Sequence, residues 1–365
     1  ANKPFITGTD IILDAVQNIN ILNNLETSGD IVLYSASGKI VQEDATPNND
    51  ALSSESITAN HLTATAVTGI ALPFLETNTI TAINSSAGAI VLTELAFSGD
   101  MEITHVEQTD AAEGSDILIT ALDGGIDIPV TGSGVTTAGS GDISIEAQGA
   151  SKALSVDQVV TVTSGIIDLI ATGPFANTAI ISASSSGSVA VTSSGAGVLL
   201  NEELTSSGGP IDISAETTIT QNANIDSGGG AITLTANTAS ITMEDGRSIT
   251  SVTGTDNGSI TLIAGTDIHL SLLDADGSIE GTASGGAITD ILSGETPNLV
   301  GTSTAVTLTA QDGIGTSSEE INTNVAELTA TNTGTVGVFI EEADALIIPA
   351  GSGVRSEGAG SIVLV

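Results

Sequence analysis

Apolar residues alternate with polar or small ones in short stretches along almost the whole chain. The recurring phrase is a turn with Gly or Asp, then apolar-x-apolar-x-small. It reads Ile11-Ile12-Leu13-Asp14-Ala15 and Ile31-Val32-Leu33-Tyr34-Ser35 near the start, and Ile117-Leu118-Ile119-Thr120-Ala121 and Ile143-Ser144-Ile145-Glu146-Ala147 further on. Later copies begin at Ile167, Val189, Ile211, Ile232, Ile260, Val306 and Ile362. Period-two alternation marks a strand with one buried face. Shorter pairs lie between the copies, as in Asn18-Ile19-Asn20-Ile21, Lys39-Ile40-Val41 and Ser240-Ile241-Thr242-Met243, and Gly228-Gly229-Gly230 and Gly285-Gly286 read as corners. No segment joins a 3.6-residue apolar period to a cap, and the β-branched, Gly and Ser content opposes helices.

Starts at 117, 143, 167, 189, 211 and 232 are 26, 24, 22, 22 and 21 residues apart. A strand, a corner, another strand and a return after about 22 residues describe one coil of a solenoid, which can bury its inward Ile, Val and Leu only against neighbouring coils. Parallel crossovers are overwhelmingly right-handed. The predicted fold is therefore all-β: a right-handed parallel β-helix of about 22 residues per coil, a single solenoid over residues 1–365 with about sixteen coils. Residues 42–56 and 106–116 break the period and are expected to be irregular insertions.

Charge narrows the function. The 365 residues carry 5 Lys and Arg against 44 Asp and Glu, a formal net charge of −39. Nucleic-acid binding through phosphates needs the opposite sign, and anionic membrane surfaces repel such a chain. Hydrophobic residues at 40% and a mean hydropathy of +0.33 set it apart from disordered acidic segments. There is no Cys, which removes disulfides, thiolate metal sites and cysteine nucleophiles. No apolar run approaches the roughly 18 residues of a membrane helix. Aromatics are 2% of the chain, fitting a narrow interior of stacked aliphatic side chains.

Gly258-Ser259-Ile260-Thr261-Leu262-Ile263-Ala264-Gly265 and Gly141-Asp142-Ile143-Ser144-Ile145-Glu146-Ala147 resemble the shaft repeats of filamentous-haemagglutinin-like bacterial exoproteins. The resemblance covers most of residues 5–365. It implies an exported, fibrous, adhesive protein at the cell surface or outside the cell, meeting host or matrix glycans. The secretion domain of that family carries Asn-Pro-Asn motifs. Here only Thr46-Pro47-Asn48 and Thr296-Pro297-Asn298 come near, so the likeness is to shaft.

β-Helices also host polysaccharide lyases and hydrolases, and a carbohydrate-active enzyme is the rival reading. Its basic residue would come from Lys3, Lys39, Lys152, Arg247 or Arg355, of which Arg247 follows Glu244-Asp245-Gly246 as a turn residue would. A strongly acidic surface repels acidic polysaccharides. His61, His105 and His269 are scattered without a triad or ligand spacing. Thr233-Leu234-Thr235 and Thr307-Leu308-Thr309 read as ordinary strand alternation. No cofactor is expected, with calcium the one possibility: Asp274-Ala275-Asp276-Gly277 resembles half of a calcium loop, making Asp274 and Asp276 the metal candidates. Ala1-Asn2-Lys3-Pro4 and Ile362-Val363-Leu364-Val365 read as cuts in a longer pattern. The expected partners are thus neighbouring segments of a longer chain, or a second copy stacked end to end.

Overall fold

Seven isoleucines, Ile19, Ile40, Ile70, Ile90, Ile117, Ile143 and Ile167, stand directly over one another in successive parallel strands. All seven are buried. A β-branched side chain has few χ1 choices and suits an extended backbone. Identical neighbours at the parallel-strand spacing can therefore stack with little side-chain entropy to lose. Burying each such side chain contributes about 1.5–3 kcal/mol.

This column belongs to a computed structural model that describes residues 6–43, 56–95, 99–110, 114–252, 258–294, 296–350 and 353–365. Among the described residues there is no helix, and the strand pairings are parallel. The architecture is the expected β-solenoid, with about 14 turns of about 23 residues. It divides into two compact units, Ala1–Gly173 and Pro174–Val365.

In the first unit three strands make a coil and three columns run through its interior. One is the isoleucine column above. A second follows Leu33, Ala64, Ala82, Val106, Val135 and Val160. Leu25, Ile57 and Leu75 begin the third, where Glu94 follows beside Leu75, and Met101, Ile126 and Leu154 form a further stack. The copies at 11–15 and 31–35 pair with each other and lead to His61–Thr65. The copies at 117–121 and 143–147 instead extend the column of Ile19, Ile40, Ile70 and Ile90. The recurring phrase thus serves two different faces, because any half-buried strand of this width needs the same alternation. The insertion expected at 106–116 is corrected at its start. Val106 and Gln108 point inward from the strand Met101–Gln108, paired with Ala82 and Asn84. Residues 111–113 of it, and nearly all of 42–56, lie outside the described residues.

The second unit repeats the plan. One column runs Val189, Ile211, Ile232, Ile260, Ile279, Val306 and Leu328. Another runs Val198, Ile219, Ile241, Ile268, Ile288, Ile314, Val338 and Ile362. Leu204, Ile225, Ile249, Leu273 and Leu299 form the third. Corners are tight: a Cβ on Gly230 would sit 2.1 Å from the carbonyl oxygen of Gly209, and one on Gly209 2.2 Å from that of Gly187.

Polar residues close the corners from both sides. Outside, a side-chain oxygen of one coil accepts the backbone N–H of the next: Asp10 from Asp30 at 3.0 Å, Asp116 from Asp142 at 3.0 Å, Asp142 from Ile166 at 2.7 Å and Asp267 from Ala287 at 2.8 Å. Inside, Asn84 accepts the N–H of Gly69, which holds φ +117°, and donates to the carbonyl oxygen of Gly88. Ser227 and Ser251 both donate to the carbonyl oxygen of Gly230. These bonds satisfy backbone groups where the sheet turns away from its own ladder.

The columns are testable. Ile143→Ala, between the stacked Ile117 and Ile167, is expected to lower unfolding stability by about 2–5 kcal/mol in urea melts. The outward neighbour Ser144→Ala should change it by less than about 0.5 kcal/mol. Equal effects would mean that the inward column is not what holds the coils together.

Candidate functional site

Coils of unequal length shift where outward residues meet. The spacing runs from 18 residues, Leu62 to Ile80, to 32, Leu25 to Ile57. On the wall of the first unit this brings together residues far apart in sequence. Thr27, Ser28, Thr58, Asn60, Glu76, Thr77, Asn78, Glu94 and Asp100 line an open cavity of about 470 Å³, with Ala59 and Gly99. The strands Leu25–Thr27, Ile57–Ala66, Ile70–Asn84 and Ile90–Glu94 supply most of them.

Glu94 is the residue that departs from the pattern. It ends the strand Ile90–Glu94 at the inward position filled by Ala121, Ala147 and Ala171 in the following coils. It is only 4% exposed, and its Oε2 is buried without a hydrogen-bond partner. Burial first, and the charge of Asp100 second, push its carboxyl up to about 7. The Thr77 hydroxyl in the same wall is also buried and unpartnered. The rest of the wall is satisfied: the Thr58 hydroxyl donates to Glu76 at 2.9 Å, Asn78 donates to Asn60 at 3.2 Å, and Asp100 accepts the N–H of Gly125 at 2.9 Å.

Asp100 links this wall to a second acidic pairing. Glu102 stands directly beside Asp127 in the next coil. Asp127 has a buried, unpartnered Oδ1, and its carboxyl is raised by burial and then by Asp157, Glu102 and Asp100, against a bond from Ser155 that lowers it. Asp168 is raised by burial and by Glu146.

The residues singled out from sequence do not converge. Asp274 sits in the strand Leu272–Ala275, beside Thr250 of the previous coil and Val300 of the next, with Asp276 at the corner beyond. Burial and then the Asp276 charge raise the Asp274 carboxyl. The pair spans a strand end and not a calcium-type loop, because the Leu272–Ala275 alternation continues an inward column. No three acidic or imidazole groups among the described residues are placed to hold a metal ion. Arg247 is a turn residue bonded to Glu244 at 2.9 Å, and Arg355 pairs with Glu357 at 2.8 Å. His61 contacts Thr79 and Thr63, His105 contacts Glu107, and His269 contacts Thr289. The outward threonines are interrupted: Thr233 and Thr261 pair, but Asp212 and Glu280 flank them in the neighbouring coils. Among the described residues no helix is long and apolar enough to cross a membrane.

Sequence reasoning passed over Glu94, Glu76 and Asp100. The signal existed in one place: Ile90-Val91-Leu92-Thr93-Glu94 has the recurring phrase with a carboxylate where the small residue belongs. Comparison with protein-family models, curated proteins and solved structures finds no match.

A pH dependence follows from Glu94. Its folded-state carboxyl titrates above its unfolded value, so folding retains a proton between the two. Stability from this group is intact below pH 4.5 and declines as pH rises towards 7, by at most about 3 kcal/mol. Urea midpoints should therefore separate wild type from Glu94→Gln at pH 8, with the variant more stable, and bring them together at pH 4.5. An equal difference at both pH values would show that the carboxyl does not titrate in the wall.

Proposed function

We propose that this chain is a structural β-solenoid of an exported bacterial surface protein, either shaft of a larger adhesin or a subunit stacked end to end. The observation that carries it is the set of inward columns running coil after coil in register, sheathed by outward Thr, Ser, Asp and Glu. Such an interior resists unfolding while the corners remain free to vary in length. That combination suits a spacer or scaffold that presents contacts outside the cell. The dense carboxylates repel one another, and salt or divalent cations in an exterior medium screen them. The likeness of the Gly258–Gly265 and Gly141–Ala147 segments to exoprotein shaft repeats supports the same reading.

The test has two arms. Antibody against this chain, applied to intact producing cells, should label the surface as strongly as it labels broken cells. A screen of neutral and acidic polysaccharides with purified chain should release neither reducing ends nor unsaturated products. Label confined to broken cells would overturn the exported reading. Glycan cleavage would replace the structural role with that of a carbohydrate-active enzyme.

A further inference from the structure

The cavity in the first unit spans successive coils, and among the described residues its lining contains three carboxylates, hydroxyls and amides but no basic side chain. Its volume of about 470 Å³ falls within the range of small-molecule sites and far exceeds what a bare ion fills. Nor do three acidic or imidazole groups gather as a metal site requires, among the described residues. Among the described residues the lining has no aromatic ring on which a sugar would stack. What the wall offers is acceptors around one carboxylate that has been taken out of water and left unpartnered. A buried, unpaired carboxylate is costly unless a cation meets it. Asn60, Asn78 and Thr77 provide neutral acceptors nearby, and Glu76 and Asp100 add negative potential.

We propose that the groove bounded by Thr58, Asn60, Glu76, Thr77, Glu94 and Asp100 binds a primary ammonium group carried on a linear organic ligand, with Glu94 as its anionic anchor. An ammonium has three donors and no acceptor. It matches a carboxylate, a hydroxyl and an amide oxygen together, where a guanidinium would call for a planar, bidentate partner. The charge of an ionised carboxylate is shared by two equivalent oxygens, so the ammonium meets the side of Glu94 that lines the groove. The ligand's remaining length lies across the coils, along Thr58 and Thr27. Free polyamines and lysine side chains of a cationic peptide share this chemistry. The inference stands independently of the structural role proposed above.

Glu94 also supplies a signature that nonspecific binding cannot imitate. A group that titrates near 7 holds part of a proton at neutral pH, and an ammonium beside it expels that proton. Carboxylates that are already ionised have no proton to release. Isothermal titration of the whole chain at pH 7 and physiological ionic strength, with spermidine and separately with trilysine, should give one saturable site. Its heat should differ between phosphate and Tris, which differ in ionisation enthalpy. Glu94→Gln should weaken binding at least about tenfold, as loss of a charge-assisted bond implies, and abolish the buffer dependence. Glu94→Ala, which restores the residue type of the following coils, should do the same if Glu94→Gln fails to fold. Asp274→Asn should leave both unchanged. Binding of both probes assigns the site to the ammonium itself, and binding of trilysine alone assigns it to a peptide. The proposal is overturned by binding of neither, by buffer-independent binding insensitive to Glu94, or by maltotriose binding as tightly as spermidine.

Discussion

The structure depends on registered stacking of inward side chains between successive coils. A helix or an antiparallel sheet can absorb a mismatched residue by local adjustment against several elements. Here each inward residue has one neighbour above and one below, at a fixed strand spacing, so its shape is dictated by theirs. Like-on-like is the simplest solution, and the columns of Ile19 to Ile167 and of Ile211 to Ile279 show it. The same constraint accounts for the scarcity of rings: a bulky side chain needs room made by both neighbours. Phe175 is a fully buried exception, followed by the smaller Val198 in the next coil.

This constraint made the fold legible. Alternation with period two, recurrence near 22 residues and Gly-rich corners are local features that survive without knowing which coil lies beside which. Assigning residues to faces is a different matter. Coil lengths vary, so Ile31 and Ile117 carry the same phrase yet stand in different columns. Gln108 looked like loop because it is polar, but an inward polar residue at a strand end is how this fold closes a corner, as Asn84 beside it does. The groove was illegible for the same reason. Thr58 and Glu76 become partners only once the register Ile57 to Leu75 is known, and Glu94 is one acidic letter among 44 until its position in the following coils is seen to hold alanines.

The charge also takes on meaning from the register. Part of the acidic content is structural, since Asp10, Asp116, Asp142 and Asp267 each hold the N–H of the next coil. Another part works against folding. Glu102 beside Asp127 sets like charges at the parallel spacing, where opposite charges would attract. Burial raises Glu94, Asp127, Asp168, Asp274 and Asp290 together. Asp245 moves the other way, because Ser293 donates to it. Those five carboxyls favour the folded state more as they are neutralised.

Against that background Glu94 is distinctive for what it lacks. Asp10, Asp116, Asp142 and Asp267 at the corners each accept a backbone N–H of the next coil. The Oε2 of Glu94 accepts none, and Ala stands at its position in the next three coils. A carboxylate that weakens its own coil, beside a cavity open to solvent, exchanges stability for an interaction made elsewhere. The columns on either side can bear that exchange, because Ile90 and Leu92 in the same strand keep their stacked partners Ile117 and Ile119. A solenoid is suited to this economy. Its stability is summed over nearest neighbours, so one coil can be spared for recognition while the others hold the register.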